Sequence, residues 1–272
     1  MIAVELRKLA RSRRTWITIA LLDALPTLVA VLLAMTDLGP RPGTGPAFLS
    51  AVLTDGTLYP LAAIAIVLPL FLPTAVAVVA GESIAGEAQS GTLRYVLTRP
   101  VGRTRLLVAK LVSVMAFVVI AVLVVAVTAY FVGTQLLGQQ QLGVAGASSV
   151  SGTSLSQTEV AWRTALSLAY AALSMLGVAA IALFLSTMVE SPLAAAMGTL
   201  AVLIASTLLL TLDAATSLHP YLPTRYWLSF VDLFRDPILW RNVTRGTALQ
   251  AVYVAIFLAA GWANFMTKDI KN

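Results

Sequence analysis

Residues 58–80 read LYPLAAIAIVLPLFLPTAVAVVA, residues 108–131 read VAKLVSVMAFVVIAVLVVAVTAYF, and between them residues 86–103 read GEAQSGTLRYVLTRPVGR. Each apolar run is as long as the roughly 20 residues a helix needs to cross a hydrocarbon core. A soluble domain carries roughly 25% charged residues. This chain of 272 residues carries 11%, with 59% hydrophobic. Too little polar material remains for a water-facing shell, so lipid must act as the solvent. The chain reads as an all-α, polytopic membrane protein.

Working outward, six stretches reach spanning length, at about Thr15–Met35, Leu58–Ala80, Leu111–Phe131, Thr164–Val189, Leu193–Leu212 and Thr247–Met266. Glu190-Ser191-Pro192 alone separates the fourth from the fifth, and a proline suits the first turn of a helix, so these two form a tight hairpin. Placing the N-terminus in the cytoplasm puts 12 of the 18 Lys and Arg on that side and six on the other. Cytoplasmic loops carry the excess of such residues, so both termini are expected inside. The long apolar run after MIAVELRKLARSRR, with no small-residue cleavage site, is unlike a cleavable signal.

At the N-terminus Ile2, Leu6 and Leu9 fall at i, i+4 and i+7, with Arg7, Lys8, Arg11, Arg13 and Arg14 around them. Residues 1–14 are therefore expected as an interfacial amphipathic helix with its cations at anionic headgroups. Residues 36–57 are rich in Gly and Pro and read as loop, and the small, polar stretch 138–158 is expected to be mobile. The outer segment 213–246 crowds Tyr221, Tyr226, Trp227, Phe230, Phe234 and Trp240 beside arginines. Such density fits short interfacial or re-entrant helices before the last span.

Several chemistries are excluded. There is no Cys and one His, His219, and zinc-type sites need clustered Cys and His. Asp232, Asp236 and His219 belong to no H-E-x-x-H or G-x-S-x-G arrangement, so no catalytic or metal residue is expected. A P-loop needs a Gly-Lys pair to cradle phosphate, and none occurs here. The charges flank spans, so the net charge of +6 is no nucleic-acid footprint. Asp23 lies about 12 Å into the first span at 1.5 Å per residue. An intramembrane acid is a candidate polar site; a carboxyl satisfied inside the bundle is the favoured alternative.

The island at 86–103 then has three readings: a hinge, a catalytic loop or a docking surface. Leu93, Val96 and Leu97 share one helix face. Gly91 permits a turn before them, Ser90 is a cap candidate, and Pro100 disfavours helix at Arg99. A short amphipathic helix between two spans follows.

The pattern Gly86-Glu87-x3-Gly91-Thr92-Leu93-x3-Leu97-x2-Pro100-x2-Arg103, with Lys110 entering the next span, resembles the cytoplasmic loop of type-two ATP-binding-cassette (ABC) exporter permeases. The six spans, the N-terminal helix and the aromatic segment match the architecture of that family. Ala88-Gln89-Ser90 departs from it where members often carry charge. The resemblance implies that residues 1–272 form one transmembrane permease domain whose loop at 81–105 holds a coupling helix. That helix would dock on a separate ATPase subunit through Glu87, Gly91, Thr92, Leu93, Arg94, Leu97, Pro100 and Arg103. Glu87 is expected in an exposed pair with the ATPase, Arg94 or Arg103.

Two such ATPase subunits, holding ATP and Mg, and a second permease, identical or homologous, would complete a bacterial inner-membrane exporter for an amphipathic or lipophilic drug, antibiotic, lipid or peptide. This chain itself would bind no cofactor and catalyse nothing. The family also includes systems linked to sodium export and copper-enzyme maturation. A non-transporting membrane scaffold is the rival from another class.

Overall fold

The computed structural model describes residues 2–36, 48, 51–53, 55–91, 102–137, 150–151 and 153–267. It is all-α, with no strand among those residues. Helix α1 spans Ile2–Arg11 and α2 spans Arg13–Met35. They are separated at Ser12, whose hydroxyl accepts from Thr15 N as the N-cap of α2. The Trp16 indole donates back to the Ala10 carbonyl at 2.9 Å and fixes this corner. Arg13 and Arg14, expected on the amphipathic helix, belong instead to the first turn of α2.

The apolar run 58–80 is not one span. It divides into α3, Tyr59–Val67, and α4, Phe71–Gln89, with a turn at 68–70. Pro69 and Pro73 have no N–H to return to the Ala65 and Pro69 carbonyls, and Leu70, at φ -136°, leaves the helical region. Helix α3 is buried nearly all round, from Tyr59 through Ala65 and at Val67. A helix apolar on every face belongs inside a protein as readily as in lipid. The span of this region is α4, and it runs on through the expected polar island as far as Gln89.

Helix α5 spans Arg103–Val132 and closes in a π turn over Gly133–Leu137. Helix α6, Gln157–Met188, starts seven residues before the expected boundary because Ser156 and Glu159 form a capping box. Glu159 N donates to Ser156 Oγ at 3.3 Å, and Ser156 N donates to Glu159 Oε2 at 2.8 Å. Helix α7, Pro192–Leu210, follows with Ser191 as N-cap, giving the expected tight hairpin. Helix α8 spans Trp240–Thr267. Among the described residues six helices are long and apolar enough to cross a membrane: α2, α4, α5 with its π turn, α6, α7 and α8.

Helix α6 is the hub. It packs on α4, α5, α7 and α8, and every residue from Gly177 to Leu183 is buried. The segment 213–246, expected on the outer side, forms three 3-10 helices, Asp213–Ala215, His219–Tyr221 and Trp227–Phe234. Its aromatics are less interfacial than expected, since Trp227, Phe230 and Phe234 are buried. Donors from the bundle make that burial tolerable by reaching its carbonyls. Arg163 serves Leu233 and Arg235, Tyr170 serves Tyr226, Gln250 serves Pro223 and Tyr253 serves Tyr221. Gly177 and Gly246 leave room for two of them, because a Cβ there would strike Gln250 Oε1 and the Tyr170 hydroxyl.

Candidate functional site

At the end of the bundle that carries α1, the last turns of α4 are held from two sides. On one side the contacts are ionic. Lys110, seven residues into α5, is 2% exposed at its side chain and lies 2.5 Å from Glu87 Oε1 and 3.0 Å from Glu5 Oε2. Lys8 of α1 adds a second bond to Glu87 Oε1 at 2.8 Å. Arg14 of α2 pairs with Glu82 one turn earlier on α4. Two carboxylates and two ammonium groups thus tie α1, α4 and α5 into one neutral cluster, which is how buried charge becomes tolerable. Burial pulls the Lys8 ammonium towards its neutral form, but the hydrogen bond and charge of Glu87, with the charges of Glu5 and Glu82, outweigh it. The pKa of Lys8 is raised above its ordinary value.

Against these charges lies a groove of about 1200 Å³ between α2, α4, α5 and α7. Its lining is mixed: Ile17, Val78, Val79 and Leu193 supply apolar surface, and Glu82, Arg14 and Lys8 supply charge. Hydroxyls of Ser12, Thr18, Ser83, Ser113 and Ser191 lie among them.

The residues expected at the docking loop fare differently. Glu87 is buried at 8% exposure in the last turn of α4 and binds Lys8 and Lys110, rather than standing exposed. Helix α4 extends further than the apolar run, which brings Glu87 to the flank of α5. Gly91 has φ of +68°, the left-handed conformation that ends helices and that only glycine adopts freely, and it follows the C-cap Ser90. The Ser90 hydroxyl donates to the Glu87 carbonyl at 3.3 Å. Thr92, Leu93, Arg94, Leu97 and Pro100 lie outside the described residues. The backbone of Arg103 opens α5.

Asp23 is not in the groove lining. It is half-buried, meets Thr128 of α5, and its Oδ1 has no hydrogen-bond partner among the described residues. Nearby, Tyr59 donates its hydroxyl to the Pro26 carbonyl.

Sequence reasoning missed the pairing of Glu5 and Lys8 with the α4–α5 corner. Its signal was Lys110 itself, a lysine seven residues into an otherwise apolar helix, which requires a buried acidic partner.

The sequence profile of the ABC-2 family transporter proteins matches residues 1–206. The chain belongs to the ABC-2 transporter family. The match takes in α1 to α6 and most of α7, and therefore the ionic cluster, the groove and α4. No curated protein matches the chain. An ABC-2 chain of this kind is a multi-pass membrane subunit of an ABC transporter, and its family works with an ABC ATPase subunit.

Proposed function

We propose that this ABC-2 chain is the permease of an exporter in the bacterial inner membrane, with both termini in the cytoplasm. Two copies, or this chain and a homologue, enclose the translocation path, and two ATPase subunits holding ATP and Mg dock on the loops at residues 86–103. The observation that carries this reading is the run of α4. It is one helix as far as Gln89, braced by the buried Glu87, and it delivers the chain through Gly91 to the docking segment. A stroke applied to that segment acts on a helix too well anchored to swing alone.

The mixed lining of the groove supports an amphipathic cargo, with charges and hydroxyls for a polar head and Ile17, Val78 and Leu193 for an apolar body. The positive-inside bias of 12 to 6 supports the orientation.

The test is affinity purification of the full chain from detergent-extracted membranes. An ABC ATPase subunit should accompany it, and Leu93→Asp with Leu97→Asp should release that subunit while leaving the permease folded. A wild-type chain that brings down no ATPase, or a double variant that retains it, overturns the reading.

A further inference from the structure

On the side of α4 facing away from the ionic cluster, one hydroxyl does unusual work. Ser186, two residues before the end of α6, is 1% exposed. Its Oγ accepts from Ala85 N at 2.9 Å and from Ile84 N at 3.2 Å, and donates to the Gly81 carbonyl at 2.7 Å. Gly81 carbonyl and Ala85 N–H are the two groups that one rung of the α4 ladder would join. A side chain from another helix therefore engages both ends of that rung and ties α6 to the backbone of α4.

The same turn of α4 carries the first turn of α7. A Cβ on Gly81 would stand 3.1 Å from Ala196 N and 3.2 Å from the Pro192 carbonyl, both backbone atoms, so the bare glycine is what lets α7 sit there. Helix α8 joins the junction too, since Asn264 donates to Thr187 Oγ1 at 3.0 Å beside Ser186. Pro192, Leu193 and Ala196 are groove wall.

We infer that Ser186 is a positioning residue that latches the α6–α7 hairpin to α4, so that displacement of the docking loop is passed to the α7 wall of the groove. The inference rests on the proposed transport function for the source of the displacement, while the latch itself rests on the three hydrogen bonds. Ionic bonds carry α1, α2 and α5 with α4; the Ser186 hydroxyl joins α6 to the same turn of α4 on which α7 sits at Gly81. Hydroxyl-to-backbone bonds suit this buried place because their geometry is directional and they need no counter-charge.

The test is amide exchange on the permease–ATPase complex, with ATP and orthovanadate as the probe. In the wild type the probe should change exchange both in peptides covering 81–89 and in peptides covering 192–198. In Ser186→Ala the change at 81–89 should persist and the change at 192–198 should be lost, with the ATPase still bound; a preserved response at 192–198 overturns the latch. Ser186→Cys, close in volume but a weak donor and acceptor, covers the case in which the alanine variant does not fold. It should weaken the response at 192–198, and a full response from it overturns the latch equally. If the wild type binds no ATPase, the transporter reading has failed, and the latch is judged in the permease alone. There the Ile84 and Ala85 amides should exchange faster in Ser186→Ala, and equal rates count against it.

Discussion

Lys110 Nζ lies 2.5 Å from Glu87 Oε1 and 3.0 Å from Glu5 Oε2, with its side chain only 2% exposed. The ammonium is out of reach of water, so its two carboxylate partners do the work of hydration. Removing one partner of a buried pair costs about 3–5 kcal/mol, whereas replacing the pair by apolar side chains is often near neutral. Lys110→Met should therefore lower the thermal midpoint in detergent sharply. Lys110→Met with Glu87→Met should recover most of that loss, leaving Glu5 to pair with Lys8. A double variant as unstable as the single would show that the two groups are not coupled.

The Arg14–Glu82 pair is a contrast. Its side chains are 81% and 43% exposed, and exposed pairs contribute about 0–1 kcal/mol. Glu82→Ala should leave the melting temperature nearly unchanged. Because both residues line the groove, the variant should alter cargo-dependent ATP turnover before it alters stability. A large drop in the midpoint would mean that the pair is buried in the assembled protein.

Much of the membrane topology could be read from length and apolar composition, because α2, α7 and the hairpin before α7 obey the helix-length rule. The second span could not. Hydropathy does not separate lipid from protein interior, and α3 is as apolar as a span while buried on nearly every face. Glu87 was misread for a related reason: a carboxylate beside an apolar run looks exposed until the helix is known to continue past it to Gln89. Ser186 resembles any small residue that lets helices approach, and its three bonds depend on a turn of α4 more than 100 residues away in sequence. The capping box at Ser156 and Glu159 was legible and would have moved the start of α6 to its observed place.

The raised pKa of Lys8 gives the α1 contact a defined pH range. Lys8 holds its proton more tightly when folded, so the contribution is fully present below the ordinary lysine value of about 10.4. It is lost only as pH rises through the higher folded-state pKa. A nitroxide on Arg7→Cys is a unique label, since the chain has no Cys. Its mobility should stay constant from neutral pH to about pH 9 and increase only in stronger alkali. Release of α1 near neutral pH would contradict the contact.

Arg163 anchors the outer segment. It is 5% exposed and donates from Nη1 to the Leu233 carbonyl at 3.1 Å and the Arg235 carbonyl at 3.0 Å. Its guanidinium also lies 5.6 Å from the Trp162 ring centroid. Those carbonyls end the 3-10 helix Trp227–Phe234, where backbone acceptors run out of helical donors. A buried acceptor left unpaired costs about 1–3 kcal/mol, and Arg163→Met orphans one at Leu233 and unties a part-buried one at Arg235. The variant should expose the outer segment to protease before the spans unfold, with cleavage appearing between residues 213 and 240. Arg163→Lys should restore only part of the protection, because a compact ammonium lacks the planar guanidinium that lies over the Trp162 ring while its Nη1 reaches both carbonyls. Full protection in Arg163→Met would show that the segment is held by its buried aromatics alone.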